Sequence, residues 1–525
     1  MTTGATQLSD RSGAVRRRAD DWIAAGIGSL LLLYAILRAA MLPVLFDEAF
    51  TYLSFVREPL TTLLNPLGSE RGIDANNHIL NTLLVKLCVA LFGTSEFVFR
   101  IPNLVALASY LLFAWMFLRR YSRTLPPLAG FVLIGTNPFL LDLFSAARGY
   151  GLSIGLLLPA LYLLAVASEQ ETPARERELL AFLLLSAAVL SSYLLVNVYA
   201  ATLLVWFAMV ATRAAGRRGP GARPGEVILD TLRGAAPVLL ISAALLAATV
   251  PVLLALHRAG GFYWGGQTGF WRDTVGSLVV STLYRAPYTA TMAPLLLGVT
   301  GVSILAIATI SCARPLWRRD TRTIRVLAGI SAITGLSSVL VLLEHSVLGA
   351  KFPIDRMGSF LVPLFLISLW LAIESASSAG GGILRYAARA GVIALGAAGL
   401  VHLIWVGSLR VSYLWQYDLD TPTMLADLTR LRGQDTGQPE RTRLGISPFL
   451  MPGIDYYRVV RDLSWLAPMN QLGPWGNYDF IYIMPMQEPE ARLRGYRVLR
   501  RYPQTSNTLW LPPSRPASSQ GDQRR

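Results

Sequence analysis

Long apolar runs, separated by short polar stretches rich in arginine, fill the chain from residue 22 to residue 409. A membrane-spanning helix needs about 20 predominantly apolar residues. Runs of that kind fall at 22–42, 97–118, 125–143, 152–168, 179–195, 196–212, 235–257, 289–312, 324–344, 356–377 and 390–409, which predicts about 11 transmembrane helices. The first follows Arg16, Arg17 and Arg18, exceeds a signal-peptide core and lacks a small-residue cleavage site. It reads as a retained first helix behind a cytoplasmic segment, residues 1–21.

One apolar stretch is left outside the membrane. Residues 79–93 carry Lys86 at their middle, and a lysine at bilayer depth costs about 2.5–3.5 kcal/mol on insertion scales. A helix lying along the outer surface avoids that cost. The first outer loop then covers residues 43–96 and is acidic and partly helical. Beyond residue 409 the pattern changes. Thr421 and Pro422 make an N-cap and first-turn pair, and Met424, Leu425, Leu428 and Leu431 repeat at helical spacing before Gly433. Residues 479–484 read as a short buried strand and 496–502 as another, giving a small extracytoplasmic α/β domain over 410–511 and a disordered tail, 512–525. The expected fold is an all-α polytopic membrane domain over 22–409 followed by that small domain.

Composition supports the membrane reading. Of 525 residues 53% are hydrophobic and only 15% charged, against about 25% charged in soluble domains. The net charge of +15 does not indicate nucleic acid, because the basic residues lie between apolar runs and form no soluble basic face. They report topology instead. The proposed inner segments hold 21 arginines; the short outer ones hold nine basic residues, namely Arg57, Arg71, Lys86, Arg148, Arg258, Arg272, Arg285, Lys351 and Arg356. The positive-inside rule places the N-terminus in and the C-terminus out. The two cysteines, Cys88 and Cys312, have no ligand or disulfide spacing.

Charged side chains beside a bilayer are candidates for function. Asp47 and Glu48 stand where the first helix leaves the membrane, among Phe46, Phe50 and Tyr52. Partial desolvation there would raise a carboxyl pKa and suit a general base; the alternative is a helix start whose acidic residues face the dipole. Asn76, Asn77 and His78 open the surface helix as a cap or as a polar site. Arg100 either snorkels or meets an anion, and Arg148 with Tyr150 presents the same choice. Lys351 and Arg356 make a further cationic feature on the outer face, suited to a phosphate or to lipid headgroups. His257, His345 and His402 share no metal-ligand spacing. The chain has no Walker loop, no GxGxxG after a strand and no GxSxG, so nucleotide-driven cytosolic chemistry is not expected.

These residues in this order resemble the GT-C class of membrane glycosyltransferases, and within it the protein O-mannosyltransferase and lipid A aminoarabinose transferase group (glycosyltransferase family 39-like). That group's Asp-Glu pair after the first helix is matched by Asp47 and Glu48. Its His-containing surface helix is matched loosely by Asn77, His78, Ile79 and Leu80. A following stretch is matched closely by Leu91, Phe92, Gly93, Ser95, Glu96, Phe97, Arg100 and Pro102, and an Arg-x-Tyr by Arg148 and Tyr150. A late Arg segment resembles Pro353 to Arg356. Two prolines after the histidine are replaced by Ile79 and Leu80, and a His-Tyr near the fifth helix by Ser192 and Tyr193. The resemblance implies a GT-C fold and transfer of a sugar, hexosyl or pentosyl, from a polyprenyl-phosphate donor to an acceptor hydroxyl on lipid, glycan or protein at the extracytoplasmic face of the plasma membrane. It implies Asp47 as base in an inverting displacement and Glu48 as its partner. Arg148, Lys351 and Arg356 would neutralise the departing phosphate, with Asn77, His78, Arg100 and Tyr150 shaping the site. No cofactor is required; a divalent ion beside Asp47 is compatible with the resemblance but not demanded.

Two other classes compete. A transporter or flippase of lipid-linked sugars would use the charges to line a path, and predicts internal repeats and interrupted helices; no such repeat is visible in the sequence. A membrane scaffold with a binding domain leaves Asp47 and Glu48 unexplained.

Overall fold

The computed structural model describes residues 2–64, 67, 74–170, 174–219, 223–312, 321–434, 441–470 and 472–513. Arg71 and all of the expected tail except residues 512 and 513 lie outside them. In chain order the helices are α1 (Thr2–Met41), α2 (Phe46–Thr51), α3 (Leu60–Leu64), α4 (Ile79–Phe92), α5 (Glu96–Tyr121), α6 (Pro127–Gly135), α7 (Pro138–Phe144), α8 (Gly149–Ser168), α9 (Arg175–Ser191) and α10 (Val196–Arg218). They continue as α11 (Pro224–Arg258), α12 (Gly276–Thr282), α13 (Thr289–Cys312), α14 (Thr321–Leu348), α15 (Leu361–Ala379), α16 (Gly382–Val406), α17 (Thr421–Gln434), α18 (Met451–Val460) and α19 (Glu488–Leu493). The strands are β1 (Leu444–Ile446), β2 (Phe480–Ile483), β3 (Arg497–Arg501) and β4 (Thr508–Leu511).

Among the described residues nine helices are long and apolar enough to cross a membrane: α1 from Arg17 on, α5, α8, α10 with the turn before it, α11, α13, α14, α15 and α16. The expected eleven spans differ at two places. Run 125–143 is a broken pair, α6 and α7, bent by 61°. Asn137 between them is extended, its Oδ1 accepts from the Phe139 and Leu140 amides at 3.1 and 3.2 Å, and Pro138 has no N–H with which to continue α6. Run 179–195 becomes α9, a helix of 17 residues, because Ser192 turns extended before a 3-10 turn leads into α10. The helix of run 356–377 also starts late, at Leu361, since Asp355–Gly358 forms a 3-10 turn with Asp355 at φ 47°.

Contacts divide the chain into two units. The larger takes residues up to Ala39, Pro59–Leu91 and Phe99–Gly407; the smaller takes Ala40–Glu58, Phe92–Val98 and the chain from Ser408 on. In the larger unit α5 and α8 meet backbone to backbone. A Cβ at Gly155 would stand 2.5 Å from the Ala106 carbonyl oxygen, and Ser109 Oγ donates to the Gly155 carbonyl at 3.1 Å. Small residues permit this approach between apolar helices. The α5–α6 turn is fixed by the buried Glu374 of α15. Its carboxylate accepts the amides of Arg123 (2.9 Å), Thr124 (2.8 Å) and Leu125 (2.9 Å), three groups that a helix end and turn leave open.

The smaller unit holds a four-stranded sheet in the order β1-β2-β4-β3. β1 runs parallel to β2, with Leu444 opposite Phe480, and the other pairings are antiparallel. Every residue of β2 is buried, and Ile481, Ile483, Ala491 and Trp510 form a core. β3 is exposed throughout, carries Arg497, Arg500 and Arg501, and has a register shift between Val498 and Arg500. Charge and irregularity both discourage pairing at an open sheet edge. α17 presents Met424, Leu425 and Leu428 to the interior, and α2 packs on α18. The exit of the first helix and the C-terminal sheet thus belong to one folded unit.

Candidate active site

In the smaller unit, α2 starts one residue before Asp47. Its backbone amides would be orphaned in a buried setting, and side chains take them. Leu45, extended at φ −92° and ψ 155°, caps the helix, and its N–H goes to Glu48 Oε2 at 3.0 Å. The Phe46 N–H goes to Asp418 Oδ2 at 2.6 Å, and the Val44 N–H to the Tyr457 hydroxyl at 2.9 Å. Asp47 Oδ2 accepts the Trp415 indole N–H at 2.9 Å. Asp47, Glu48 and Asp418 are all buried.

Of the three carboxyl groups, Asp418 is the one whose ionisation is visibly disfavoured. Burial pushes the Asp418 carboxyl well above its usual range, the Asp47 and Glu48 carboxylates add to that, and the Phe46 amide pulls the other way. Asp418 therefore carries a proton more readily than a surface carboxyl. The Tyr457 hydroxyl is also raised, first by burial and then by Glu96, to which it is hydrogen-bonded. Glu96, in the stretch that matches the resembled family, thereby buttresses the strand-like exit at Val44.

In the larger unit, Asn77, His78, Arg148 and Tyr150 come together. His78 Nδ1 lies 2.8 Å from the Ser191 carbonyl oxygen, which places a proton on Nδ1, since a carbonyl oxygen can only accept. The His78 and Tyr150 rings meet edge to face at 4.9 Å. Arg148 donates to the Asn76 carbonyl at 3.2 Å and to Asn76 Oδ1 at 3.0 Å, with its guanidinium 5.9 Å from the Tyr150 ring centre. Thr82 donates to Asn77 Oδ1 at 3.2 Å, so Asn77 serves the first turn of α4. Asn81 reaches the Ala147 carbonyl, and Asn103 reaches Asn81. Gly149 allows all this: a methyl there would overlap the Ser191 carbonyl oxygen and come within 2.6 Å of His78 Nδ1.

The other two cations sit on a different loop of that unit. Lys351 Nζ donates to the Tyr263 carbonyl at 2.5 Å, next to a two-way backbone bridge between Gly266 and Phe352. Arg356 is half-buried in the turn Asp355–Gly358, which Asp355 anchors through Ser281 Oγ (3.1 Å) and Ser277 Oγ (2.9 Å). Arg100 is fully buried and donates to the Ala39 carbonyl at 2.8 Å, satisfying one of the open carbonyls at the end of α1.

Sequence reasoning missed a buried triad in the larger unit. Arg38 Nη2 lies 2.5 Å from Asp142 Oδ1 and donates to the Tyr284 hydroxyl at 2.9 Å, which in turn donates to Asp142 Oδ2 at 2.8 Å. Tyr284 and Arg285 both have positive φ, 50° and 55°, strain that persists only where surroundings impose it. The signal was present: Arg38 and Asp142 are charges inside apolar runs. Trp415 and Asp418 carried no such signal. Among the described residues no group of three or more His, Cys, Asp or Glu side chains is arranged to hold a metal ion.

No family model matches the chain, and no curated protein matches it in sequence. Among solved structures it aligns with ArnT from Cupriavidus metallidurans bound to undecaprenyl phosphate, over 96% of this chain and 100% of that one, at 11% identity and a TM-score of 0.46. It aligns with the oligosaccharyltransferase AglB from Archaeoglobus fulgidus, in complex with an inhibitory peptide and a dolichol-phosphate, over 94% of this chain and 74% of that one, at 11% identity and 0.45. Alignment with the arabinofuranosyltransferase AftD from Mycobacteria covers 93% of this chain and 39% of that one, at 13% identity and 0.41.

Proposed function

We propose that this protein is a multi-pass membrane glycosyltransferase that moves a sugar from a polyprenyl-phosphate donor to an acceptor hydroxyl at the extracytoplasmic face. The observation that carries the reading is the division of labour between Asp47 and Glu48. Glu48 closes the helix cap, the structural task that adjacent acidic residues at a helix start perform. The cap uses the Glu48 carboxylate, whereas Asp47, one residue earlier, is buried and its Oδ2 accepts the Trp415 indole N–H. A carboxylate held in place at a desolvated site is suited to general-base work. The match of residues 91–102 to the glycosyltransferase pattern supports the same class.

In this reading Asp47 takes the proton of the acceptor hydroxyl, and the acceptor oxygen bonds to the anomeric carbon. The bond from that carbon to the phosphate oxygen breaks, polyprenyl phosphate leaves with the electron pair, and the configuration inverts. Glu48 holds the turn that aims Asp47, and Asp418, favouring its neutral form, limits repulsion around it. The family resemblance assigns Arg148, Lys351 and Arg356 to the departing phosphate, and within the larger unit Arg148 is held by its two bonds to Asn76. Tyr150 lies beside the Arg148 guanidinium, His78 ties the start of α4 to the Ser191 carbonyl, Asn77 serves the first turn of α4, and Arg100 secures the end of α1.

The test is transfer of radiolabelled sugar from polyprenyl-phosphate donors in membranes containing equal amounts of wild type or Asp47→Asn. The amide oxygen can still accept from Trp415 while the base is removed. A loss of about 10²- to 10⁴-fold is expected. Equal transfer by both proteins eliminates Asp47 as base. Absence of transfer by either across a donor panel shifts the balance to a transporter.

A further inference from the structure

Between α8, α10 and α14 of the larger unit lies a cavity of about 570 Å³, within the roughly 300–1,000 Å³ typical of small-molecule sites. Its wall is apolar, with Leu164, Trp206, Met209 and Ile333, and its rim is polar, with Ser168, Glu169, Arg213 and Arg325. The rim is formed by the end of α8, the last turns of α10 and the start of α14, at the end that the arginine bias assigns to the cytoplasm.

Among the described residues the rim carries more guanidinium groups than carboxylates. Glu169 is shared by Arg120 (2.7 Å), Arg322 (2.6 Å) and the Tyr121 hydroxyl (2.6 Å). Arg213 is paired with Glu178 at 2.8 Å. Arg325 donates to the Ser168 carbonyl at 3.0 Å and has no carboxylate partner among the described residues. Among the described residues four guanidinium groups thus meet two carboxylates, and Arg325, which has no carboxylate among them, lies at the mouth of an apolar slot. Space remains inside, since a Cβ at Gly329, on the cavity wall, would meet nothing within 4 Å.

A cation above an apolar slot between membrane helices matches one ligand chemistry, a phosphodiester carrying acyl chains. We propose that this groove binds an anionic phospholipid, with an acyl chain along Trp206 and Ile333 and its phosphate at Arg325. A zwitterionic lipid fills the apolar part equally well but does not answer the excess positive charge. The site uses none of the residues assigned to sugar transfer, so it stands or falls separately.

The test uses the full-length protein in detergent, titrated with brominated phosphatidylglycerol or brominated phosphatidylcholine while tryptophan emission is read. Subtracting Trp206→Phe isolates the indole in the groove. Phosphatidylglycerol is expected to quench Trp206 at lower concentration than phosphatidylcholine. Arg325→Gln is expected to raise the apparent Kd for phosphatidylglycerol about fivefold, the effect of one near-surface cation, and to leave phosphatidylcholine unchanged. Gly329→Leu fills the slot and reduces quenching by both lipids. Equal quenching by the two lipids, an unchanged Kd in Arg325→Gln, or undiminished quenching in Gly329→Leu each overturns the proposal. Should Arg325→Gln fail to fold, the leucine variant and the comparison of lipids decide alone.

Discussion

Arg38 is the most informative side chain to remove. It and Asp142 are almost completely buried, with side-chain exposures of 1% and 0%, at a separation of 2.5 Å. Changing Arg38→Met keeps much of the side-chain volume but strands the Asp142 carboxylate without its guanidinium. Breaking one side of a buried pair costs about 3–5 kcal/mol, or on the order of 10² to 10⁴ in the folding equilibrium at 1.36 kcal/mol per tenfold. Replacing the whole triad, as Arg38→Met with Asp142→Leu and Tyr284→Phe, removes the charge and the hydroxyl together. Such replacements are often neutral or stabilising. The triple variant should therefore be more stable than the single one. The assay is the temperature at which monodisperse protein is lost in detergent, followed by fluorescence-detected size exclusion. A single variant that melts with wild type, or a triple variant below the single, would refute the view of the triad as a costly interlocked group.

Three other outcomes follow from the geometry. Gly149→Ala places a methyl against the Ser191 carbonyl, and overpacking of about 1–3 kcal/mol or more should lower the melting temperature; a neutral result would show that the α8–α9 junction yields. Because the folded-state pKa of Asp418 is raised by burial, its neutral form favours the fold, and wild type should lose stability as pH rises from the ordinary carboxyl range through that raised value. Asp418→Asn cannot ionise, so its melting temperature should gain on wild type as pH increases, and parallel curves would count against the shift. Arg148→Lys keeps the charge but loses the two-pronged bond to Asn76, so sugar transfer should fall while lipid binding at the Arg325 groove is unaffected; full transfer would mean that charge alone suffices.

Apolar run length and arginine spacing determined the membrane character, because a helix must satisfy its own backbone across a bilayer and nothing shorter than a long apolar run does so. Nine long helices, the 14-residue α4 and the buried strand at 480–483 were legible in that way. The break at Asn137-Pro138 is also written locally, as a cap followed by a residue without an N–H, inside a run whose apolar length alone predicts one continuous span. What the sequence left open was the use of each polar side chain. Asp47 and Glu48 read alike in sequence, and only the fold separates them, giving Glu48 the Leu45 amide and Asp47 the Trp415 indole. Trp415 and Asp418 lie hundreds of residues from Asp47, and Asp142 lies far from Arg38. Hydrogen bonds and desolvation act over a few ångströms of space, whatever the distance along the chain. Periodicity therefore decided which segments enter the membrane, and tertiary packing decided which carboxyl groups are buried together and which amide and indole N–H groups they hold.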